Sequence, residues 1–421
     1  EGIMERTQKQ IELGKNYDGV VLPPMQGRPL VAEPYLPWAS IQKRDGPKYF
    51  GATSDKFVLH HTGDLGDFKF RLDREIAMFH EYLRPNKVEA LARKQFVEQV
   101  IADVQKTLPT AAIEVFGSER TGLASATSDI DLRLWRPNNV EDGSGQCTPL
   151  PPPPAQRKQL VKDLRQLHYR SFSRNPEYIA AEVLHSRYPL LSLQHRDSGI
   201  DVQIVLANDT TSSRNIVKQY LEQYPYLDKL YSVVKTMFDV RGISDVYRGG
   251  LGSYSIFMMI VASLQRKPEI KTAGHGLRHF LHFWTNYDTT THGLSIQPMS
   301  EFNKLENPVM TEKAKAQLKN GEIKPLPKFM LSLQDPADPT NDLGRKAVCY
   351  KHIKATIIRL RYLLEYDLKV NTRYCLLGSL VGASYALNLS RRRKLQAHGE
   401  RLLTEMEASM SVTAQQIREA D

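Results

Sequence analysis

The chain has 421 residues, which is long enough for two or three domains with sizeable cores. Its 41% hydrophobic and 25% charged residues are the composition of an ordinary globular protein, and its net charge of +10 suits a polyanionic partner. Three scattered cysteines (Cys147, Cys349 and Cys375) show no Cys-x-x-Cys or Cys/His spacing. They argue against a disulfide framework and a zinc site, and they fit a reducing compartment.

The first part of the chain reads as an arm followed by two helices. Residues 1–65 are rich in proline, glycine and polar side chains, which predicts an extended N-terminal arm. From Leu72 to Thr107 the apolar positions recur at helical spacing, and Pro85 divides this pattern into two helices. We expect residues 66–110 to be helices that join a helical domain.

A region of strands follows. Four segments have the pattern of strands: Ala112 to Phe116, Ile130 to Leu134, Tyr178 to Leu184 and Ile200 to Leu206. A helical pattern from Gln156 to Tyr169 lies between the second strand and the third. Together these elements predict an α+β domain over residues 111–215.

The chain then becomes almost wholly helical from Ile216 to about Leu331, and we place a helical central domain at residues 216–362. Leu227 to Val240 has the pattern of an amphipathic helix, and Ser253 to Leu264 that of a strongly apolar core helix. An aromatic group at helical spacing is expected in the core: Phe280, Phe283, Trp284 and Tyr287.

Residues 363–421 predict a C-terminal helical extension. Its apolar run, Tyr374 to Leu389, is shorter than the roughly 20 residues that cross a bilayer. We therefore expect a buried helix there and no membrane span. The basic run that follows, Arg391 to Lys394, is either solvated charge or charge that faces RNA.

The most informative stretch runs from Val115 to Leu132. It reads as a strand, a turn at Gly117-Ser118, a loop of small residues, and a second strand that carries Asp129-Ile130-Asp131. Since side chains alternate faces in a strand, the two carboxylates point the same way and repel each other unless a cation lies between them. Oxygen ligands favour Mg²⁺ or Mn²⁺, and the turn offers groups that hold a phosphate. Taken singly, each piece is also typical of a solvated strand face or a plain turn.

This string resembles the signature of the DNA polymerase β-like nucleotidyltransferases, in which a Gly-Ser turn precedes Asp-x-Asp on a strand. With Thr121-Gly122-Leu123 and Ser128 between the turn and the carboxylates, it is similar to the template-independent terminal nucleotidyltransferases, the poly(A) and poly(U) polymerases. The resemblance implies an α+β palm with a mixed sheet and flanking helices, followed by a mostly helical central domain. It also implies an RNA nucleotidyltransferase that uses Mg²⁺ or Mn²⁺ and takes ATP as its substrate.

A third carboxylate is needed, because two-metal phosphoryl transfer uses three. In the family it lies on a neighbouring strand, and Asp201 occupies that place here. By alternation, Asp201 and Gln203 face one way while the residues between and beside them face the core. Asp197 and Asp209 are rivals, but both have turn-like surroundings in the sequence.

The resemblance also assigns residues that bind the nucleotide. Lys235 stands where the family carries a lysine that neutralises the triphosphate, although it is also compatible with a solvated helix face. Some relatives place a second lysine where this chain has Asp239, so the expected phosphate clamp is weaker. Asn215, just after the third carboxylate's strand, is expected to bond the ribose hydroxyls.

Two further strings match the family. Gly249 to Ser255 resembles its Gly-Gly-Leu-Ser-Ser-Tyr-Ser motif, in which Ser253 would bond the phosphates and Tyr254 would stack on the base. A buried structural tyrosine is the alternative for the second residue. Leu331 to Arg345 resembles the loop that closes over the base, where Asp335 and Asn341 would read the base edge.

The expected function is the template-independent addition of AMP to RNA 3′ ends, closest to the poly(A)-adding branch. Uridylyl-adding relatives tend to carry histidine at the position of Asn341. The alternatives are a uridylyltransferase and a weak or inactive RNA-binding or scaffold subunit of a ribonucleoprotein. The expected partners are an RNA 3′ end and a protein or ribonucleoprotein that contacts the arm and the C-terminal extension. The positive charge, with Glu1 as the first residue, slightly favours a mitochondrial location over a nuclear one.

Overall fold

A computed structural model gives the fold, and it describes residues 68–135, 154–184, 189–205, 210–371, 375–382 and 384–420. The predicted arm lies outside these residues. The chain divides into two compact units. Among the described residues, the helical unit joins Phe68–Tyr82 with those of Ile216–Tyr385, and the palm unit joins those of Leu83–Asn215 with those of Ala386–Asp421.

The palm unit is built on a five-stranded mixed sheet with the order β1-β2-β5-β4-β3. Its strands are β1 (Ala112–Phe116), β2 (Ile130–Trp135), β3 (Tyr178–Leu184), β4 (Leu190–His195) and β5 (Asp201–Val205). Strands β2 and β5 run parallel, whereas the other neighbours are antiparallel. The α+β class predicted from the sequence is confirmed. Strand β4 was not predicted, although it pairs with both β3 and β5.

Alternating burial gives this sheet a core face and a site face. In β2 the side chains of Ile130, Leu132 and Leu134 are buried, while Asp131 and Arg133 remain partly exposed. The core face packs against helices α2 (Lys87–Thr107) and α4 (Pro154–Leu167), which contribute apolar side chains to one cluster. Burying each such side chain stabilises the fold by about 1.5–3 kcal/mol, and this fixes which strand face is left for polar groups.

Short helices and a long one complete the palm unit. Helix α3 (Gly117–Thr121) follows β1, and a π-helix (His168–Phe172) extends α4. The long helix α12 (Ser384–Ala420) packs on α2, with Leu395 buried in the cluster and Gly399 against the backbone of Val88. A Cβ at Gly399 would lie 2.5 Å from the Val88 carbonyl oxygen, so the close approach requires glycine.

The helical unit contains α1 (Phe68–Leu83) and the helices between Ile216 and Tyr385. Those helices are α5 (Thr211–Gln223), whose first turn belongs to the palm unit, α6 (Leu227–Asp239), α7 (Ser253–Gln265), α8 (Ala273–Asn286), α9 (Glu312–Lys319), α10 (Tyr350–Val370) and α11 (Gly378–Val381). A 3₁₀ helix (Val246–Arg248) lies in the predicted turn before α7. Of the aromatic group expected in the core, Phe280, Trp284 and Tyr287 are buried.

Two predictions for this part of the chain were wrong. The region before Leu331, predicted to be almost wholly helical, also contains β6 (His292–Ser295) and β7 (Ser300–Asn303), which form a three-stranded sheet with β8 (Leu333–Gln334). These strands are too short to show a clear alternation. The apolar run predicted as one helix is split between α11 and α12, because Gly382 between them has a positive φ of 56°. None of the described helices is long and apolar enough to span a membrane.

Candidate active site

The register of β2 and β5 brings two of the predicted carboxylates together. Ile130 pairs with Val202 in a parallel ladder, so the residues before them, Asp129 and Asp201, lie side by side where the two strands begin. Asp131 is the next residue on the same face of β2 as Asp129, as the alternation predicted. The three carboxylates therefore lie at one end of two adjacent strands.

The first two carboxylates interact unfavourably. Burial, followed by the negative charge of Asp129, raises the pKa of Asp131 from 3.8 to about 6. The amide Nε2 of Gln203 donates to Oδ2 of Asp129 over 3.3 Å. A divalent cation would relieve this repulsion, and carboxylate oxygens are the ligands that Mg²⁺ and Mn²⁺ prefer. The donor chemistry of Asp129 and Asp131 thus fits such a cation.

Gly117 and Ser118 follow β1 and begin α3, beside these carboxylates. Phe116, the last residue of β1, pairs with Asp131 across the ladder. Gly117 has a φ of 67°, and a Cβ there would lie 2.5 Å from Oδ2 of Asp131. Glycine is therefore required for two reasons, the left-handed backbone and the close approach to the carboxylate.

Asp201 is engaged in a different way. Its Oδ1 accepts a hydrogen bond of 2.8 Å from Nε2 of Gln194, and its Oδ2 accepts one of 3.2 Å from Nη2 of Arg391. Within the described residues, no three His, Cys, Asp or Glu side chains are arranged to hold a metal ion together. Of the rivals, Asp197 is ion-paired with Arg401 at 2.6 Å, and that hydrogen bond lowers its pKa. Asp209 lies outside the described residues.

The loop between α3 and β2 is held by a residue that the sequence did not point to. Arg93 of α2 is buried and donates to the backbone oxygens of Ala126 and Ser128 over 2.9 and 2.8 Å. Its guanidinium also pairs with Glu119 at 2.5 Å. Glu119 and Ala126 thus have structural roles: one pairs with a buried arginine and the other is itself buried.

In the helical unit, three of the predicted base-binding residues touch one another. The buried carboxylate of Asp335 accepts from Oη of Tyr254 and from Nδ2 of Asn341, each over 2.9 Å. The backbone N–H of Ala337 donates to the same carboxylate over 2.8 Å. Burial and the charge of Asp335 raise the pKa of Tyr254, so its hydroxyl stays protonated and keeps donating. The sequence analysis assigned a base-binding role to each of these residues separately and did not predict that they contact one another.

A second buried aspartate, which the sequence analysis missed, fixes the same loop. Asp342 accepts from Oγ of Ser332 over 2.8 Å and from the backbone N–H groups of Leu333 and Gly344 over 3.0 and 2.9 Å. Burial raises the pKa of Asp342 despite these bonds. The loop between β8 and α10 is therefore ordered from within by two carboxylates.

The remaining predicted nucleotide-binding residues also lie in or at the start of the helices. Lys235 of α6 is half-buried and ion-paired with Asp239, one turn later, and Asp239 also accepts from Ser244. The departure at Asp239 thus supplies a partner for the lysine. Ser253 is the exposed first residue of α7, and Asn215 is exposed in α5.

Comparison with known proteins bears on the fold of this chain. Residues 72–222 match the family described as "Poly(A) RNA polymerase, mitochondrial-like, central palm domain". The chain is similar to this poly(A)-polymerase-like family over those residues. The solved structure of the polymerase core of TRAMP, an RNA surveillance complex, has the same fold, with a TM-score of 0.61 at 22% identity. That match covers 78% of this chain and 99% of the other. The predicted fold class is therefore confirmed.

Among similar characterised proteins, Poly(A) RNA polymerase CID14 of Cryptococcus neoformans is 27% identical to this chain over 297 residues. The match covers 68% of this chain but only 35% of that relative, so the chain spans about a third of its length. Trf4-2 of Drosophila melanogaster, a poly(A) RNA polymerase protein whose name calls it inactive, is 25% identical over 315 residues, 70% of each chain. The similar proteins thus include one that is named as inactive.

Proposed function

We propose that this protein adds AMP to RNA 3′ ends without a template, by two-metal nucleotidyl transfer. The observation that most supports the proposal is that Asp129, Asp131 and Asp201 lie near the start of two adjacent parallel strands. Mutually repelling carboxylates cost folding stability, so their retention is expected where a cation is used. We assign catalysis to residues 111–215 and nucleotide recognition to residues 216–362.

In the proposed reaction, the 3′-hydroxyl of the RNA attacks the α-phosphate of ATP in line. One P–O bond forms, the bond to the β-phosphate breaks, and pyrophosphate and a proton are released. Bound Mg²⁺ would favour the ionised hydroxyl and offset the charge on the leaving pyrophosphate. Asp129 and Asp131 would hold the cations, and Asp201 would complete the ligand set beside the 3′-hydroxyl.

The triphosphate would be positioned by Gly117, Ser118, Lys235 and Ser253. Lys235 would give up part of its pairing with Asp239 to bind phosphate oxygens, since a partly exposed pair within one helix is weak. Asn215 would bond the ribose hydroxyls. The whole arrangement acts by holding the hydroxyl and the phosphate in line, which is the main contribution a protein makes to phosphoryl transfer.

The preference for ATP rests on Asn341. A carboxylate only accepts hydrogen bonds, so the amide group that faces Asp335 must be the Nδ2 donor. This leaves Oδ1 of Asn341 as the acceptor for a base. Adenine presents an amino donor at its edge, whereas uracil presents a carbonyl acceptor at the equivalent atom. Tyr254, fixed through its hydroxyl, would supply the ring on which the base stacks.

A second candidate function is an inactive RNA-binding or scaffold subunit. One observation favours it: a relative at 25% identity is named as inactive. Three retained carboxylates favour the enzyme. We also propose a protein or ribonucleoprotein partner that contacts residues 1–65 or the C-terminal extension, and a mitochondrial location.

The test is to incubate the chain with a labelled RNA, Mg²⁺ and each nucleoside triphosphate separately. We expect extension with ATP, its loss in Asp129→Ala, and its retention in Asp197→Ala, a matched aspartate that is exposed and paired with Arg401. Equal extension by Asp129→Ala would contradict the metal assignment, and extension with UTP alone would show a uridylyltransferase. RNA binding without extension by any nucleotide would favour the scaffold.

A further inference from the structure

The side chains of the basic run near the start of α12, Arg391 to Lys394, differ in what they contact. Arg392 donates twice, over 2.7 Å each, to the buried carboxylate of Glu89 and ties α12 to α2. Arg391 instead reaches Oδ2 of Asp201, 190 positions away in the sequence, over 3.2 Å. Arg393 is exposed. Only Arg391 therefore contacts a residue of the candidate active site.

The backbone at Arg391 is held by packing contacts of α12, whereas the Arg391 side chain is largely exposed to solvent. The Arg392–Glu89 pair, the buried Leu395 and the close contact of Gly399 with Val88 hold α12 against α2. The Arg391 side chain is 52% exposed, and that of Asp201 is 29% exposed. An ion pair with this much solvent access is weak, so the guanidinium is available to another anion near Asp201.

We infer that Arg391 binds the last phosphodiester of the RNA primer, an assignment that rests on the function proposed above. A cation on Asp201 would satisfy the carboxylate's charge and release Arg391 from it. Under the proposed function the reacting 3′-hydroxyl would lie beside Asp201, so the nearest anion of the primer would be the phosphodiester that precedes its terminal nucleotide. The planar guanidinium fork matches two phosphate oxygens. Lys394, exposed one turn later on α12, extends the positive charge along the helix.

The test measures binding of a labelled RNA to the full chain in Mg²⁺ without nucleotide, by fluorescence anisotropy. One RNA has natural linkages, a second has a neutral methylphosphonate at the last linkage, and a third has it several linkages away. We expect the wild type to bind the second RNA about tenfold more weakly than the first, the loss expected for one charge-assisted hydrogen bond. The third RNA should bind like the first.

The variants decide the assignment. Arg391→Ala should bind natural RNA about tenfold more weakly than the wild type and lose nothing more with the terminal methylphosphonate. Arg391→Lys, which keeps the charge and loses the fork, should fall between them. Arg393→Ala, the matched control two residues along α12, should behave as the wild type. Circular dichroism and thermal unfolding confirm that each variant is folded.

The inference is overturned if Arg391→Ala binds natural RNA as tightly as the wild type, or if it still discriminates against the terminal methylphosphonate. It is also overturned if Arg391→Ala keeps its RNA affinity and only needs less Mg²⁺ for extension, because Arg391 would then act solely as a competitor of the cation. Binding needs no catalysis. A wild type that shows the Arg391-dependent contact but extends RNA with no nucleotide would therefore refute the proposed function alone.

Discussion

The two aspartate clusters of the molecule are built in opposite ways. In the palm unit, Asp129 and Asp131 repel each other, and burial with this repulsion raises the pKa of Asp131 to about 6. In the helical unit, the buried Asp335 is satisfied by a tyrosine, an asparagine and a backbone N–H. The first cluster contains a charge repulsion that a cation would relieve, whereas the second is satisfied by its own hydrogen bonds. Under the proposed function, base recognition would be preorganised and metal binding would offset the repulsion in the palm.

The largest expected effect is on catalysis at the strained cluster. Asp131→Asn should reduce RNA extension by on the order of 10³-fold or more, because one ligand of the reacting centre is lost. The same change should leave the thermal unfolding temperature in EDTA unchanged or higher, because it removes a buried repulsion. A variant that loses stability in EDTA as well as activity would show that Asp131 is a structural residue.

At the preorganised cluster, Asn341→His should shift nucleotide choice. The imidazole replaces the amide acceptor, so the ratio of kcat/KM for ATP to that for UTP should fall by about tenfold or more. Steady-state extension assays with each nucleotide measure this ratio. Asn320→His, an exposed asparagine in the same unit, is the matched control and should leave it unchanged. An equal shift in both variants would remove the argument for Asn341.

Arg93 should matter to stability and, through the loop it holds, to catalysis. Arg93→Ala removes the donor that serves two backbone oxygens and the carboxylate of Glu119. This loss should lower the free energy of unfolding by about 1–3 kcal/mol. Denaturant unfolding measures the loss. Arg174→Ala, an exposed arginine stacked on Tyr169, is the control and should change the free energy by less than about 0.5 kcal/mol. Equal losses would show that the Arg93 bonds carry no special stability.

The last expected effect is that the folding stability of the metal-free protein depends on pH. The pKa of Asp131 is 3.8 unfolded and about 6 folded, so the folded state binds more protons between these values. Its contribution to stability is therefore present below pH 4 and is lost as the pH rises through 6. Thermal unfolding in EDTA and in Mg²⁺ tests this, since the cation should flatten the dependence. The Asp131→Asn variant should lack it in both buffers.

The sequence predicted the strands of the palm where apolar and polar residues alternate clearly. It did not predict short strands or contacts between residues far apart in the sequence. Strand β2 was predicted from the alternating apolar residues Ile130, Leu132 and Leu134. The same alternation places Asp131 on the opposite face. By contrast, the four-residue strands β6 and β7 carry too few positions to show a period.

For the candidate site, alternation and the motif identified the three carboxylates in the sequence. The side chains that contact them were found only in the structure. Arg391 and Asp201 lie 190 positions apart, and Arg93 and Glu119 lie 26 apart. No local pattern relates such pairs, because the fold of the palm unit alone brings them together.

The central claim is that a divalent cation relieves the repulsion between Asp129 and Asp131. Titration of Mn²⁺ into the full chain, followed by electron paramagnetic resonance of the free ion, tests it most directly. The account predicts that the wild type binds Mn²⁺ and that Asp131→Asn binds it at least about tenfold more weakly, while Asp197→Asn binds it like the wild type. Equal Mn²⁺ binding by the wild type and Asp131→Asn would contradict the claim.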